Sequence, residues 1–169
     1  MVERTTYTRL VGGSSPSGRT KSISNKMGVK IYCDNNVLPT WLRLLEKSDS
    51  IKIIQFPYEN VNKKIKNKGV PTDATWNQMK LTWNQANFIW NDQEPSDKYN
   101  SIISILQQSS QNTKVDAQHL DSAYKSNCSV FITNDKTDIL SRRLELKNLL
   151  GIDVCAPDEA RTVVESKLL

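Results

Sequence analysis

The chain has 169 residues, of which 37% are hydrophobic and 24% are charged, and these values are typical of a globular domain. A chain of this length buries roughly two-thirds of its unfolded surface, so its core needs no metal or disulfide. No run of about 18 apolar residues is present, which argues against a membrane-spanning helix. Residues 1–30 lack the apolar stretch of a signal peptide, and Cys33, Cys128 and Cys155 lie singly in or beside apolar runs. We therefore expect a cytoplasmic protein with reduced, buried thiols.

The net charge of +5 is concentrated at the N-terminus. Residues 1–33 contain six basic residues and one acidic residue, whereas residues 34–169 contain 17 of each. Residues 11–18 are rich in glycine and serine, which is typical of a flexible linker. We therefore predict a basic flexible tail at 1–27 and a folded domain at 28–169. The tail either contacts nucleic acid or only keeps the protein in solution.

Short apolar runs alternate with helical patterns along the predicted domain. In chain order, the patterns predict strands at 29–33, 51–54, 129–133 and 152–155, and helices at 37–45, 98–108, 116–124 and 139–150. The first helix is expected to place on one inward face Val37, Trp41, Leu44 and Leu45. Gly151 is expected to end the helix at 139–150. This alternation indicates an α/β fold with a parallel sheet covered by helices on both faces.

Three tryptophans recur every seven residues, at Trp76, Trp83 and Trp90. With Met79 and Ala86 they line one stripe of a predicted helix. Such a stripe is either part of the core or a surface that docks a helix from a partner or from a second copy of the chain. The sequence leaves both interpretations open.

Carboxylates follow or precede the predicted strands at positions where ligands gather in α/β proteins. Asp34 follows the first strand, Glu59 follows the second, Asp116 opens the helix before the third, and Asp135 follows the third. In a parallel sheet these four side chains can converge at one edge. Convergent carboxylates repel one another unless a cation lies between them, and oxygen ligands favour Mg²⁺ or Mn²⁺ over zinc. The alternative is that they are helix caps and loop acids.

Three segments resemble the motifs of PIN-domain nucleases. Residues 34–38 (DNNVL) are similar to the family's D-x-N-x-L opening, and residues 116–123 (DAQHLDSA) to its D-A-x-H-L-x-x-A helix. Residues 133–135 (TND) are similar to the T-x-D strand end, and residues 149–157 fit the family's last helix, strand and exit. The resemblance covers roughly residues 29–158.

The resemblance implies a PIN-like three-layer sandwich with a central, mostly parallel sheet flanked by helices. It also implies a Mg²⁺- or Mn²⁺-dependent endoribonuclease that hydrolyses single-stranded RNA, either a VapC-like toxin of a toxin–antitoxin pair or a stand-alone enzyme. The implied partners are RNA, an antitoxin and a second copy of the chain, with no membrane. The catalytic and metal-binding residues carried over are Asp34, Glu59, Asp116 and Asp135, with Asp138 as an accessory ligand or a helix cap.

Other residues near these motifs receive weaker assignments. Glu46 is a second choice for the acid assigned to Glu59, because the first helix should carry it away from the sheet edge. Thr133 and Asn36 are expected to hydrogen-bond the carboxylates or a water. The chain's single histidine, His119, is expected to pack or hydrogen-bond near the edge rather than act as a base. Asp121 lies about 140° around the helix from Asp116 and is expected to be solvated.

A different functional class is also compatible with these patterns. A catalytically inactive PIN-like module that binds RNA or acts as a scaffold would share the fold, but such proteins tend to lose one of the acids. A phosphate-accepting receiver domain also places acids at strand ends. It requires paired acids after the first strand, and the sequence Asp34-Asn35-Asn36 does not supply them.

Overall fold

The structure is a computed structural model that describes residues 28–34, 37–58, 66–73, 93–106 and 111–169. The elements are, in chain order, β1 (Val29–Cys33), α1 (Thr40–Lys47), β2 (Ile51–Ile54), α2 (Tyr99–Ile105), α3 (Gln111–Lys125), β3 (Val130–Ile132), a 3₁₀ helix (Leu140–Arg142), α4 (Arg143–Leu150), β4 (Asp153–Cys155) and α5 (Ala160–Leu168). The predicted tail and the tryptophan stripe lie outside the described residues. No helix in the described part of the chain is long and apolar enough to cross a bilayer.

The four strands form one sheet in the order β2-β1-β3-β4, and every neighbouring pair is parallel. The prediction of an α/β protein with a parallel sheet is therefore confirmed. Strand β1 is central, and its Ile31 pairs with Ile53 on one side and Val130 on the other. Because the strands are parallel, their carboxyl ends share one edge. We call this edge, from Asp34 to residues 133–135, the carboxyl rim.

Successive strand residues enter two separate cores. Tyr32 and Phe131 belong to a core that also contains buried residues of α2, α3 and α4. Ile31 and Ile132 point into a second core, which contains buried residues of α1 and α5. Both faces of the sheet are thus covered, an arrangement compatible with a three-layer sandwich. Burial on both faces explains why the strands are mostly apolar rather than alternating, with Lys30 of β1 and the exposed Lys52 of the edge strand β2 as the exceptions.

The first helix begins later than the sequence pattern predicts. It starts at Thr40 with Pro39 as its N-cap, so Val37 is buried in the preceding loop rather than in the helix. The inward position belongs to Leu42, which is fully buried. Leu44 is 62% exposed, so its predicted inward position is wrong. The reason is geometric, because two positions along an α-helix separate side chains by about 160°.

Two helices in the C-terminal half also differ from the prediction. Helix α3 begins at Gln111, so Asp116 lies in its second turn and does not open it. Helix α5 has no counterpart in the predicted elements. It buries only Ala160 and Val164, one turn apart, and its remaining positions are largely polar. Gly151 does end α4, with a left-handed φ of 70°.

Residues 73 and 93, which flank segment 74–92, are joined by a backbone hydrogen bond. The Asp73 N–H donates to the Gln93 carbonyl oxygen at 2.8 Å. Helix α3 binds both chain segments at this junction, because the Lys125 ammonium donates to the carbonyl oxygens of Pro71 and Glu94, each at 2.7 Å. The two ends of segment 74–92 are therefore fixed side by side against α3.

Candidate metal centre

The backbone of the carboxyl rim continues the hydrogen bonding of the sheet. The Asp34 N–H donates to the Ile132 carbonyl at 2.9 Å, and the Thr133 N–H donates to the Cys155 carbonyl at 3.2 Å. These bonds fix Asp34 and Thr133 just beyond the ends of β1 and β3. The backbone positions of the side chains at this edge are therefore fixed by the sheet.

Three half-buried carboxylates converge beside this edge. One oxygen from each of Asp116, Asp135 and Asp138 lies within 4.8 Å of the other two. Asp116 comes from the second turn of α3, whereas Asp135 and Asp138 lie in the turn between β3 and the 3₁₀ helix. Two oxygens that bind one Mg²⁺ or Ca²⁺ at about 2.0–2.6 Å are at most about 5 Å apart. The spacing and the all-oxygen donor set therefore fit a single divalent cation.

Asp135 also shapes the turn that contains it. Its Oδ1 accepts the N–H groups of Thr137 and Asp138, both at 2.9 Å. Since a carboxylate has two oxygens, this capping role is compatible with a ligand role. Within the described ranges, neither Asp135 nor Asp138 forms a salt bridge.

Asp34 is joined to this cluster through Thr133. The Thr133 hydroxyl donates to Asp34 Oδ2 at 2.7 Å, and the same hydroxyl oxygen accepts the Asp135 N–H at 3.0 Å. The expected bond from Thr133 to a carboxylate is thus confirmed. Asp34 Oδ2 and the Asp135 backbone nitrogen share one hydrogen-bonding partner, although Asp34 is not one of the three convergent acids.

His119 lies directly behind Asp34. It is 2% exposed, its Nδ1 is 2.9 Å from the Tyr32 hydroxyl, and its Nε2 is 3.8 Å from Asp34 Oδ1. The rings of Tyr32 and Tyr58 contact the imidazole edge to face. Burial lowers the pKa of His119, and the nearby Asp34 carboxylate opposes that shift only in part. The imidazole is therefore neutral at pH 7 and packs near the rim, as the sequence predicts.

The remaining predicted site residues are not part of this cluster. Glu59 and Asn36 lie outside the described residues. The Glu46 carboxylate faces the outer edge of the sheet, where Oε1 accepts the Asn67 amide at 2.9 Å and the Ile53 N–H at 3.3 Å. The expectation that α1 carries Glu46 away from the other acids agrees with these contacts.

Asp121 is a buried acid, whereas the sequence pattern predicts an exposed one. It has no exposed surface, so the expectation of a solvated side chain is wrong. Its Oδ2 accepts the Thr72 hydroxyl at 2.6 Å and the Ser96 N–H at 3.2 Å, and its Oδ1 accepts the Ser96 hydroxyl. These partners come from distant segments that cover the outer side of α3. No local signal in the helix sequence identifies them.

A groove of about 330 Å³ lies between α1 and the edge strand β2. Three exposed cations, Arg43, Lys47 and Lys66, line it together with one acid, Glu46. The groove includes Leu38, which follows Asp34 by four residues, and it therefore reaches the loop that leaves the carboxyl rim. Its remaining lining residues are Ile53, Gln55 and Asn67.

Comparisons with protein-family models, with curated proteins and with solved structures find no match to this chain. The resemblance to PIN-domain nucleases therefore stays a prediction that rests on the sequence motifs alone. Those motifs contribute Asp34, Asp116 and Asp135, all of which lie at or beside the carboxyl rim.

Proposed function

We propose that this protein is a Mg²⁺- or Mn²⁺-dependent endoribonuclease with a PIN-like fold that hydrolyses phosphodiester bonds of single-stranded RNA. One observation carries the proposal, namely the convergence of Asp116, Asp135 and Asp138 within 4.8 Å of one another. These acids come from two separate parts of the chain, and Asp34 is tied to Asp135 through Thr133.

The residues of the cluster have distinct tasks in this proposal. Asp116, Asp135 and Asp138 hold the cation, and the turn that Asp135 caps keeps two of these ligands in a fixed relation. We assign Asp34, which accepts the Thr133 hydroxyl at the end of β1, as a further ligand of the cation, directly or through a water. When bound, the cation supplies a water of lowered pKa and offsets the charge that develops on the phosphate. No side-chain nucleophile is needed for such a hydrolysis.

The groove beside α1 supports RNA as the substrate. Arg43, Lys47 and Lys66 provide three positive charges, against the one negative charge of Glu46, along a groove that also contains Leu38 of the loop after β1. Lysine and arginine contacts to phosphates supply most of the sequence-independent affinity for nucleic acids. A strand bound in this groove would have its backbone beside the loop that follows Asp34.

The proposal is tested with Asp116→Asn and Asp135→Asn. We expect each variant to lose more than about a hundredfold in cleavage of a fluorescent single-stranded RNA in Mn²⁺, because even residues that only support metal ligands affect activity by about 10–100-fold. In Asp135→Asn the amide oxygen of the new side chain can still cap the turn, so the fold should persist. Asp49→Asn is the matched control, because Asp49 is exposed, lies in the turn before β2 and has a φ of 55° that asparagine tolerates.

Stability provides a second readout of the same variants. Without metal, each substitution removes a charge from a crowded cluster and should leave the melting temperature equal or higher. Saturating Mn²⁺, at about 100 times its Kd, should stabilise the unmodified protein by about 2.7 kcal/mol and the variants much less. Unchanged cleavage in both variants would refute the catalytic assignment.

An inactive PIN-like module that binds RNA or acts as a scaffold is the alternative, and one observation favours it. The cap that Asp135 provides to Thr137 and Asp138 gives this acid a structural reason to be present. RNA binding by a protein that neither binds Mn²⁺ nor cleaves would establish this alternative. An antitoxin partner and a homodimer stay predictions, because the tryptophan stripe on which they rest lies outside the described residues.

A further inference from the structure

A line of polar contacts runs from the core to the carboxyl rim through His119. Tyr32 lies in the centre of the sheet with no exposed surface, and its hydroxyl is 2.9 Å from His119 Nδ1. On the opposite side of the imidazole, Nε2 faces Asp34 Oδ1 at 3.8 Å. This separation is longer than a hydrogen bond, so the contact is one between a charge and a dipole.

The two ring nitrogens face different groups, and this difference favours one of the two neutral tautomers. A neutral imidazole carries one N–H. If Nδ1 carried it, the lone pair of Nε2 would face the Asp34 carboxylate, which is repulsive. If Nε2 carries it, the N–H dipole points to the carboxylate and Nδ1 accepts the Tyr32 hydroxyl. Burial raises the pKa of Tyr32, so this hydroxyl stays protonated and can donate.

The Asp34 carboxylate therefore has a polar neighbour at each of its two oxygens. The Thr133 hydroxyl binds Oδ2 at 2.7 Å, and the imidazole faces Oδ1. Because the two oxygens have different partners on different elements, rotation of the carboxylate about its last side-chain bond is opposed. A carboxylate of fixed orientation is what a rigid metal site requires, and partners behind a ligand supply that orientation.

We propose that His119 is a positioning residue, which Tyr32 holds in the tautomer with its proton on Nε2 and which in turn orients Asp34. The tautomer itself is independent of what the protein does. The consequence for metal binding and cleavage rests on the function proposed above.

The tautomer is measured on the full chain labelled with ¹⁵N. His119 is the single histidine, so its two ring nitrogens are identified without assignment of other residues. Two-bond ¹H–¹⁵N spectra at pH 7 should show a protonated Nε2 and an unprotonated Nδ1. A protonated Nδ1, or a doubly protonated ring, would overturn the proposal.

Tyr32→Phe removes the hydroxyl and keeps the ring, which stacks on Phe131 at a centroid distance of 5.2 Å. We expect the ring nitrogens of His119 to shift toward a mixture of tautomers in this variant. Tyr58→Phe is the matched control, since Tyr58 also contacts the imidazole but its hydroxyl bonds Ser122 and Thr72. Equal ¹⁵N shifts in the two variants would remove the role assigned to Tyr32.

The positioning role is measured with His119→Leu and His119→Gln. The leucine variant fills the space without a donor, whereas the glutamine amide can place an N–H near the position of Nε2. We expect Mn²⁺ affinity, followed by the electron paramagnetic resonance signal of free Mn²⁺, to fall by about 10–100-fold in the leucine variant and to recover in the glutamine variant. RNA cleavage should follow the same order.

The outcomes separate this proposal from the one on which it rests. If the unmodified protein binds Mn²⁺ and cleaves RNA but His119→Leu does so equally well, the positioning role is wrong and the nuclease assignment stands. If the unmodified protein neither binds Mn²⁺ nor cleaves, the nuclease assignment and the positioning role both fail, and the ¹⁵N spectra still decide the tautomer.

Discussion

The buried carboxylate of Asp121 allows a quantitative prediction about stability. Asp121→Ala removes an acceptor that receives the hydroxyls of Thr72 and Ser96 and the Ser96 N–H. All three donors would lose their partner at a position with no exposed surface. Hydrogen bonds to a charged group each contribute about 1.5–3 kcal/mol, and a buried donor left unsatisfied costs about 1–3 kcal/mol.

These contributions overlap, because the two hydroxyls can rotate toward other acceptors, so the sum is an upper bound. We therefore expect Asp121→Ala to lower the free energy of unfolding by about 3–5 kcal/mol. Losses of this size are typical of substitutions that disrupt a buried hydrogen-bond network. Domains of this size are stable by about 5–15 kcal/mol, so the loss is a large fraction. Asp121→Asn keeps the shape and one acceptor oxygen, and should cost about 1–2 kcal/mol.

The assay is urea unfolding followed by circular dichroism, with equal m-values required before the midpoints are compared. Asp97→Ala is the control, because Asp97 is a neighbouring acid with 73% of its side chain exposed, and among the described residues its ion pair is with Lys98 alone. It should change stability by less than about 0.5 kcal/mol. Amide exchange should also accelerate at 70–73 and 93–96 in Asp121→Ala. A loss no greater than that of the control would refute the reasoning.

Two further predictions concern charges at the surface. Burial disfavours ionisation of Asp153, but hydrogen bonds from Lys147 and Lys167 outweigh it and lower its pKa. Asp153→Asn should therefore lower the free energy of unfolding by about 0.5–1 kcal/mol at pH 7. In urea titrations, the stability difference between the two proteins should disappear as the pH falls from the ordinary aspartate pKa of 3.8 to below the lowered pKa of the folded state. Arg43→Glu and Lys66→Glu should each weaken RNA binding and reduce the slope of log K against log salt by about 0.7 per phosphate contact, with Mn²⁺ affinity unchanged. Unchanged slopes would exclude the groove as the RNA path.

The sequence predicts the sheet well because its strands are buried on both faces. Runs such as 29–33 and 51–54 are short, apolar and rich in β-branched residues, and turns bound them clearly. Asp34 and Asp135 are identifiable for the same reason, since a residue that follows a parallel strand must lie at the rim. Helix boundaries are less certain. In α3 the polar residues 111–114 carry no apolar pattern that would show the helix to begin there.

The features that the sequence misses depend on distant partners. Asp121 is buried by residues 25 and 49 positions away, and nothing in α3 itself indicates that contact. Helix α5 is a different case, because Ala160, Val163, Val164 and Leu168 follow the i, i+3, i+4, i+8 spacing of an amphipathic helix, so the sequence contains a signal for it. The sequence does offer Asp138 as an accessory ligand or a helix cap, but its convergence with Asp116 depends on the turn that Asp135 caps.

The junction between Asp73 and Gln93 has a consequence for how this protein can diverge. Because the two backbones are bonded to each other and Lys125 of α3 bonds both of them, the two ends of segment 74–92 are held at a fixed separation. Doubling the length of a flexible loop between fixed ends costs only about 0.6 kcal/mol of closure entropy. Flexible residues inserted between Asp73 and Gln93 therefore add little closure cost as long as this backbone bond and the two Lys125 contacts persist.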